Sequence, residues 1–185
     1  MKHQTTNTTK YNRYPAIFQA VKDCYPNPDK VLSFGCSFGL EAFTLKEKYF
    51  PDSEVVGVDF PKVISQIKDK KGCEFFYKLP TYKFDIIFAM SVFCRWEDTQ
   101  KYWRCDDIYP FEKFEKGVNK LNNRLNPGGI LVIYNANFRF KDTNIYDQFE
   151  VIKDDRIQES GFVHKFNREN IKIRNTYKEV IFKKK

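Results

Sequence analysis

The apolar positions change period in an ordered way along the chain. Over residues 14–24, Ile17, Phe18 and Val21 recur at helical spacing, which predicts an amphipathic helix ended by Tyr25-Pro26-Asn27-Pro28-Asp29. Residues 30–34 read as a short buried strand. Residues 41–49 read as a helix with Ala42, Leu45 and Tyr49 on one face, stopped by Pro51 and Asp52. A Val-rich strand over 54–58 follows, then a polar-faced helix over 62–70 and strands over 73–77 and 85–90. Residues 111–125 predict a clear helix, with Phe111, Phe114, Val118, Leu121 and Leu125 on one side. Asn126-Pro127-Gly128-Gly129 reads as a turn before a strand over 130–134. Residues 143–158 are mixed, and 162–166 and 178–182 read as strands.

Strands alternating with helices predict an α/β fold, a parallel sheet covered on both faces. Val31-Leu32 and Ile130-Leu131-Val132-Ile133 carry no alternating polar residue, as strands buried on both faces require. In such sheets a ligand sits beyond the C-terminal strand ends, so the residues after each strand carry the chemistry.

No repeat or linker divides the chain. At 185 residues and 42% hydrophobic content it is sized for one domain, residues 1–185. No run of 18 apolar residues occurs, so no membrane partner is expected, and the polar residues 1–10 lack the apolar segment of a secretory leader. Five cysteines without a C-x-x-C pair argue against a disulfide framework or a metal site and for a reduced, cytoplasmic protein. The net charge of +8 is uneven, because residues 161–185 carry eight Lys and Arg against two acids. Such a face attracts RNA or an acidic partner, or is only a solvated strand end.

The first strand runs into Gly35-Cys36-Ser37-Phe38-Gly39 and then a helix. Glycine after a strand lets the backbone turn sharply and lets a ligand approach the main chain. The second strand ends in Gly57-Val58-Asp59, where a carboxylate can accept hydrogen bonds from both hydroxyls of a ribose. Asp59 could alternatively cap a helix at Pro61.

These residues resemble class I S-adenosylmethionine-dependent methyltransferases. Val31 through Gly39 resembles their motif I, Gly57-Val58-Asp59 their second motif and Phe84 through Ser91 their fourth-strand motif. Leu125 through Ile133 resembles the turn and strand that follow. The resemblance covers about residues 30–135 and implies a Rossmann-like doubly wound sheet of about seven strands. In that fold 177–183 would be an antiparallel last strand. It also implies S-adenosyl-L-methionine as cofactor, with Gly35, Cys36, Ser37 and Gly39 at the methionine end. Asp59 would hold the ribose, Phe60 would pack on the adenine and Met90 would lie under the cofactor. The form Gly-Cys-Ser-x-Gly-x-Glu, with Glu41, is nearer to the chemotaxis-receptor methyltransferase style. Ser33 replaces the usual acid before the first glycine, Ser37 the central glycine, and Tyr77 or Lys78 the acid after the third strand.

Residues 1–29 are expected to form an N-terminal helical cap, with Arg13 a partner for the methionine carboxylate. Residues 93–110 lie where the family places its substrate lid and hold Trp96, Glu97, Asp98, Tyr102, Trp103, Asp106, Asp107 and Tyr109. An aromatic, acidic lid suits a small or amine-bearing acceptor better than a phosphate backbone. A surface helix is the plainer alternative. Glu97, Asp98, Asp106, Asp107 and Tyr134 are unranked candidates for a general base. Methyl transfer to a small molecule is thus expected. The alternatives are an RNA or protein methyltransferase recruited through the basic C-terminal face, and a non-catalytic cofactor-binding scaffold. G-x-S-x-G also matches a hydrolase nucleophile elbow, which would make Ser37 the nucleophile and need His164.

Overall fold

Helix α1 (Pro15–Cys24) begins on a proline, whose missing N–H costs nothing at a first helical position. It buries Ile17, Phe18, Ala20 and Val21. Strand β1 (Lys30–Phe34) follows, then α2 (Leu40–Thr44), which widens into a π-helical turn over Leu45–Tyr49. Next come β2 (Glu54–Val58), α3 (Pro61–Ile64), β3 (Glu74–Phe76) and β4 (Phe84–Met90). Helices α4 (Trp96–Thr99) and α5 (Phe111–Asn122) lead to β5 (Leu125–Tyr134). The chain finishes through β6 (Phe149–Ile152), β7 (Lys165–Phe166), β8 (Lys172–Ile173) and β9 (Ile181–Lys184). This computed structural model describes residues 3, 5, 7–158, 163–173 and 177–185.

Seven strands form one sheet in the order β3-β2-β1-β4-β5-β9-β6. Strands β1 to β5 pair in parallel, and β9 inserts antiparallel between β5 and β6. Strands β7 and β8 form a separate antiparallel pair. Successive side chains of a strand point to opposite faces, and each face has its own core. Val31, Ile86, Phe88, Ile130 and Val132 pack with α1 and α2 on one side. Leu32, Ile87, Ala89, Leu131 and Ile133 pack with Phe111, Phe114, Val118 and Leu121 of α5 on the other. The sheet is doubly wound.

Three local readings differ from the pattern. The helix expected over 62–70 stops at Ile64, because Val63 is its only buried residue and little apolar contact offsets its ordering cost. The turn at 126–129 is an excursion within β5: Phe84 pairs with Leu125 but Ile86 pairs with Ile130, so β5 loops out against β4. The strand expected over 162–166 is seen at Lys165–Phe166, and Phe162 lies outside the described residues. Strand β6 lies in the stretch that read as mixed.

Candidate functional site

The C-terminal ends of β1, β2, β4 and β5 meet at one edge of the sheet. Gly35, Ser37 and Gly39 take left-handed φ values of 78°, 53° and 85° as the chain turns from β1 into α2. Gly39 caps α2, and a Cβ there would come within 2.9 Å of the Phe43 ring. It forms the turn and lies outside the lining of both cavities described below. The Gly35 and Cys36 N–H groups donate to the Val58 carbonyl at 2.8 and 3.2 Å, which ties the turn to the end of β2.

Asp59 is buried beside this turn. One carboxylate oxygen accepts the Ser37 N–H at 2.8 Å and the other accepts the Phe60 N–H at 2.7 Å. A carboxylate offers about four lone-pair sites, so two remain for hydroxyl donors. A cavity of about 240 Å³ opens here, lined by Gly35, Val58, Asp59, Phe60, Tyr77 and Leu79 among others.

On the other side of Gly35 lies a cavity of about 370 Å³. Gly35, Cys36, Ser37 and Glu41 form its floor, Met90, Ser91 and Cys94 its β4 side, and Trp96 and Glu97 its α4 side. Arg13, Tyr14 and the segment Asn7–Lys10 close it from the N-terminal side. That segment is tied down: the Ser37 hydroxyl donates to the Asn7 carbonyl at 2.8 Å, and Arg13 donates to the Thr8 carbonyl at 2.9 Å.

Glu41 is the electrostatic centre of the larger cavity. It accepts the hydroxyl proton of buried Ser33 at 2.7 Å. Burial pushes its carboxyl up to about 8, against the weaker opposing pulls of Ser33 and Arg13. A carboxyl with only a neutral hydrogen-bond partner favours a cation brought beside it. Cys36 and Cys94 are buried thiols, the second pushed up to about 11, so neither is a reactive thiolate.

A TehB-like S-adenosylmethionine-dependent methyltransferase of Corynebacterium glutamicum superposes on 96% of this chain and 90% of its own, at 17% identity and a TM-score of 0.57. CalS10, an amino pentose methyltransferase from Micromonospora echinaspora, matches 83% of this chain and 60% of its own, at 16% identity and a TM-score of 0.50. The chain has the class I methyltransferase fold. It spans less than half the length of some larger neighbours, such as 36% of a Nostoc punctiforme protein assigned as an O-methyltransferase (16% identity, 65% of this chain, TM-score 0.47). No protein-family model matches the chain, and no curated protein matches it in sequence.

Within this class I methyltransferase fold, the candidate bases separate. Glu97 reaches the larger cavity. Asp98 is paired with Arg95, and Asp106 with Arg104. Asp107 lines a different surface depression with Tyr102 and Lys101. The Tyr134 hydroxyl donates to the Gln158 carbonyl at 3.2 Å. The start of α4 is held by buried Asn137: its carbonyl oxygen accepts the Arg95 N–H at 2.5 Å, and its amide donates to the Thr99 hydroxyl and the His164 carbonyl. His164 is exposed and Ser37 donates to a backbone carbonyl, so this geometry offers no nucleophile–base pair of the hydrolase kind.

Four residues at the site received no role in the sequence reading. Tyr14, Ser91 and Asn135 form a hydrogen-bonded cluster at the ends of β4 and β5, through Tyr14–Ser91 at 2.8 Å and Asn135–Ser91 at 2.9 Å. Nothing in their spacing, 77 and 44 residues apart, connects them. His3 also lines the smaller cavity, bonded to the Tyr109 hydroxyl at 2.8 Å.

Proposed function

We propose that the chain binds S-adenosyl-L-methionine and transfers its methyl group to a small-molecule acceptor. The observation that carries this reading is the pair of cavities flanking Gly35. The smaller suits a nucleoside: Asp59 has lone pairs left for the ribose hydroxyls, and Phe60 and Tyr77 offer ring faces to the adenine. The larger suits an amino-acid end. Glu41 takes the ammonium, Arg13 the carboxylate, and the Gly35–Ser37 backbone lies along the chain between, with Met90 beneath. When bound, the cofactor supplies an electrophilic methyl group on a sulfonium. The protein's own part is to bind, orient and exclude water, and such positioning alone supplies roughly 7 to 11 kcal/mol. Residues 1–29 then act as a cap and 93–110 as a lid. Five free cysteines fit a reducing compartment, the cytoplasm.

The basic C-terminus favours RNA recruitment less than its charge suggests. Lys183 pairs with Ile130, four residues and roughly 13 Å before the site end of β5. Lys184 donates to the Asn122 and Leu125 carbonyls, and Lys185 to that of Asp147. These cations decorate the opposite edge of the sheet. Among the described residues no helix is long and apolar enough to cross a membrane, and no group of acidic, His or Cys side chains could hold a metal.

The test is thermal unfolding with S-adenosylhomocysteine. Ligand at 100 times its dissociation constant adds about 2.7 kcal/mol, a rise of roughly 5 to 10 °C for a chain of this size. The rise should shrink in Glu41→Gln. No rise at millimolar ligand would overturn the cofactor reading. A rise without methyl transfer to any acceptor would favour the non-catalytic scaffold.

A further inference from the structure

Once Glu41 and Arg13 are given to the cofactor, part of the larger cavity wall remains without a task. It consists of Tyr14 and Ser91 on one side and Trp96 and Glu97 on the other. Two features set this wall apart. Ser91 and Asn135, directly after β4 and β5, both hold left-handed backbone, with φ of 58° and 53°. For a residue with a Cβ such strain persists only where the surroundings enforce it, and it concentrates at ligand sites. In addition, Asn135 is buried behind this wall and braces it through its amide, while its own side chain lines a separate small cavity with Lys165 and Tyr177. The Asn135 amide donates to the Ser91 hydroxyl at 2.9 Å and to the Tyr14 hydroxyl at 3.5 Å, which holds both.

We propose that Tyr14, Ser91 and Glu97 form the acceptor site and that it takes a small amine. This inference rests on the cofactor reading above. The wall is rich in hydrogen-bond acceptors. The two hydroxyls share one hydrogen bond and take the Asn135 amide from behind, which leaves one oxygen to accept an N–H, and a carboxylate accepts only. Once the incoming ammonium has released one proton to bulk water, accepting a remaining N–H leaves the nitrogen lone pair free to point away from the hydroxyls, into the cavity above Met90. Glu97 stands exposed at the rim beside the Trp96 ring, a carboxylate and an aromatic face that together draw in a cationic amine from solvent. A hydroxyl acceptor would need a strong base beside it. Tyr14 is pushed above its ordinary value by burial, Glu41 is committed to the cofactor, and the remaining carboxylate, Glu97, is exposed to solvent at the rim. A cavity of about 370 Å³ that also holds the cofactor's amino-acid end leaves room for a small molecule only.

The experiment is calorimetric binding to the full chain saturated with S-adenosylhomocysteine. The probes are benzylamine, cyclopentylamine and ethanolamine, each beside its matched alcohol and carboxylate. At least one amine should bind, at least tenfold more tightly than its matched alcohol and carboxylate. Tyr14→Phe and Glu97→Gln should each weaken that amine about tenfold, with the S-adenosylhomocysteine shift retained. Ser91→Gly removes the hydroxyl without adding strain and should do the same. Equal or tighter binding of alcohols or carboxylates overturns the inference, as does the absence of amine binding at millimolar probe. Amine binding indifferent to all three substitutions overturns the assignment of the residues. Loss of the S-adenosylhomocysteine shift in the unmodified protein instead overturns the cofactor reading on which it stands.

Discussion

Glu41→Gln should change how stability depends on pH, and the sign follows from where the carboxyl ionises. In the unfolded chain it loses its proton near pH 4.5. In the folded chain burial beside Ser33 holds the proton until about pH 8. Between these values the folded state binds more protons than the unfolded one, so stability falls as pH rises and levels off above 8. The slope is at most ~1.4 kcal/mol per pH unit. Over the whole window that is roughly 5 kcal/mol, and about half of it for a carboxyl that opens onto a solvent-filled cavity. Gln keeps the shape and cannot ionise. Urea midpoints of the two proteins should therefore diverge from pH 5 to pH 8, with Glu41→Gln the more stable at high pH. S-adenosylhomocysteine should reverse the divergence, because its ammonium pairs with the ionised carboxylate of the unsubstituted protein alone. Parallel profiles, with and without ligand, would refute the argument.

His3 carries the opposite sign. Burial, helped by Lys113 and Lys120, lowers its pKa to about 4, so it contributes stability that is lost as pH falls from 6.5 to 4, and His3→Phe should flatten that acid limb in a denaturant titration. Gly57→Ala would place a Cβ 2.6 Å from the Phe75 ring and 2.8 Å from the Cys36 sulfur. It should cost about 1 to 3 kcal/mol in unfolding and weaken S-adenosylhomocysteine, through displacement of Cys36. Asn137→Ala strands the Arg95 N–H and the His164 carbonyl, and hydrogen exchange should quicken through Trp96–Thr99 with about 1 to 3 kcal/mol of stability lost. Lys183→Gln with Lys185→Gln should leave S-adenosylhomocysteine affinity within twofold. If the chain binds RNA through this edge, the same pair should reduce the salt slope by about 0.7 to 0.9 per lost contact.

Much of the fold was legible because the strands are buried on both faces. Val31-Leu32 and Ile130 through Ile133 have no polar alternation, and each side chain finds one of two cores. Polar segments were harder. The stretch containing β6 has Phe149 buried and Glu150 exposed in only four residues, too short a pattern to register. The stretch over 62–70 had helical composition, but composition does not report what lies above it: Val63 is its one buried residue, and Ile67 only edges onto a core. In the site, residues next to strand ends could be picked out because topology sends strand ends to the ligand. Tyr14 could not, since its meeting with Ser91 and Asn135, which directly follow β4 and β5, depends on where α1 packs against the sheet.

The substitution at Ser33 shows why a motif read in one dimension can mislead about charge. Serine at that position leaves the end of β1 without the carboxylate that the resemblance leads one to expect there. In space the Ser33 hydroxyl points its proton at Glu41, eight residues on and in the first turn of α2, and Glu41 lines the cavity. The negative group has moved from strand to helix and the serine has become its hydrogen-bond donor. This arrangement differs from an acid on the strand in one respect that matters. Burial outweighs the Ser33 hydrogen bond and keeps the Glu41 proton on near neutral pH, so an incoming cation must displace that proton as well as pair with the charge. Cofactor affinity should then rise with pH up to about 8, and binding near neutrality should release close to one proton. Calorimetry in buffers of different ionisation enthalpy measures that release directly, and a value of zero would mean that Glu41 is not the group that receives the ammonium.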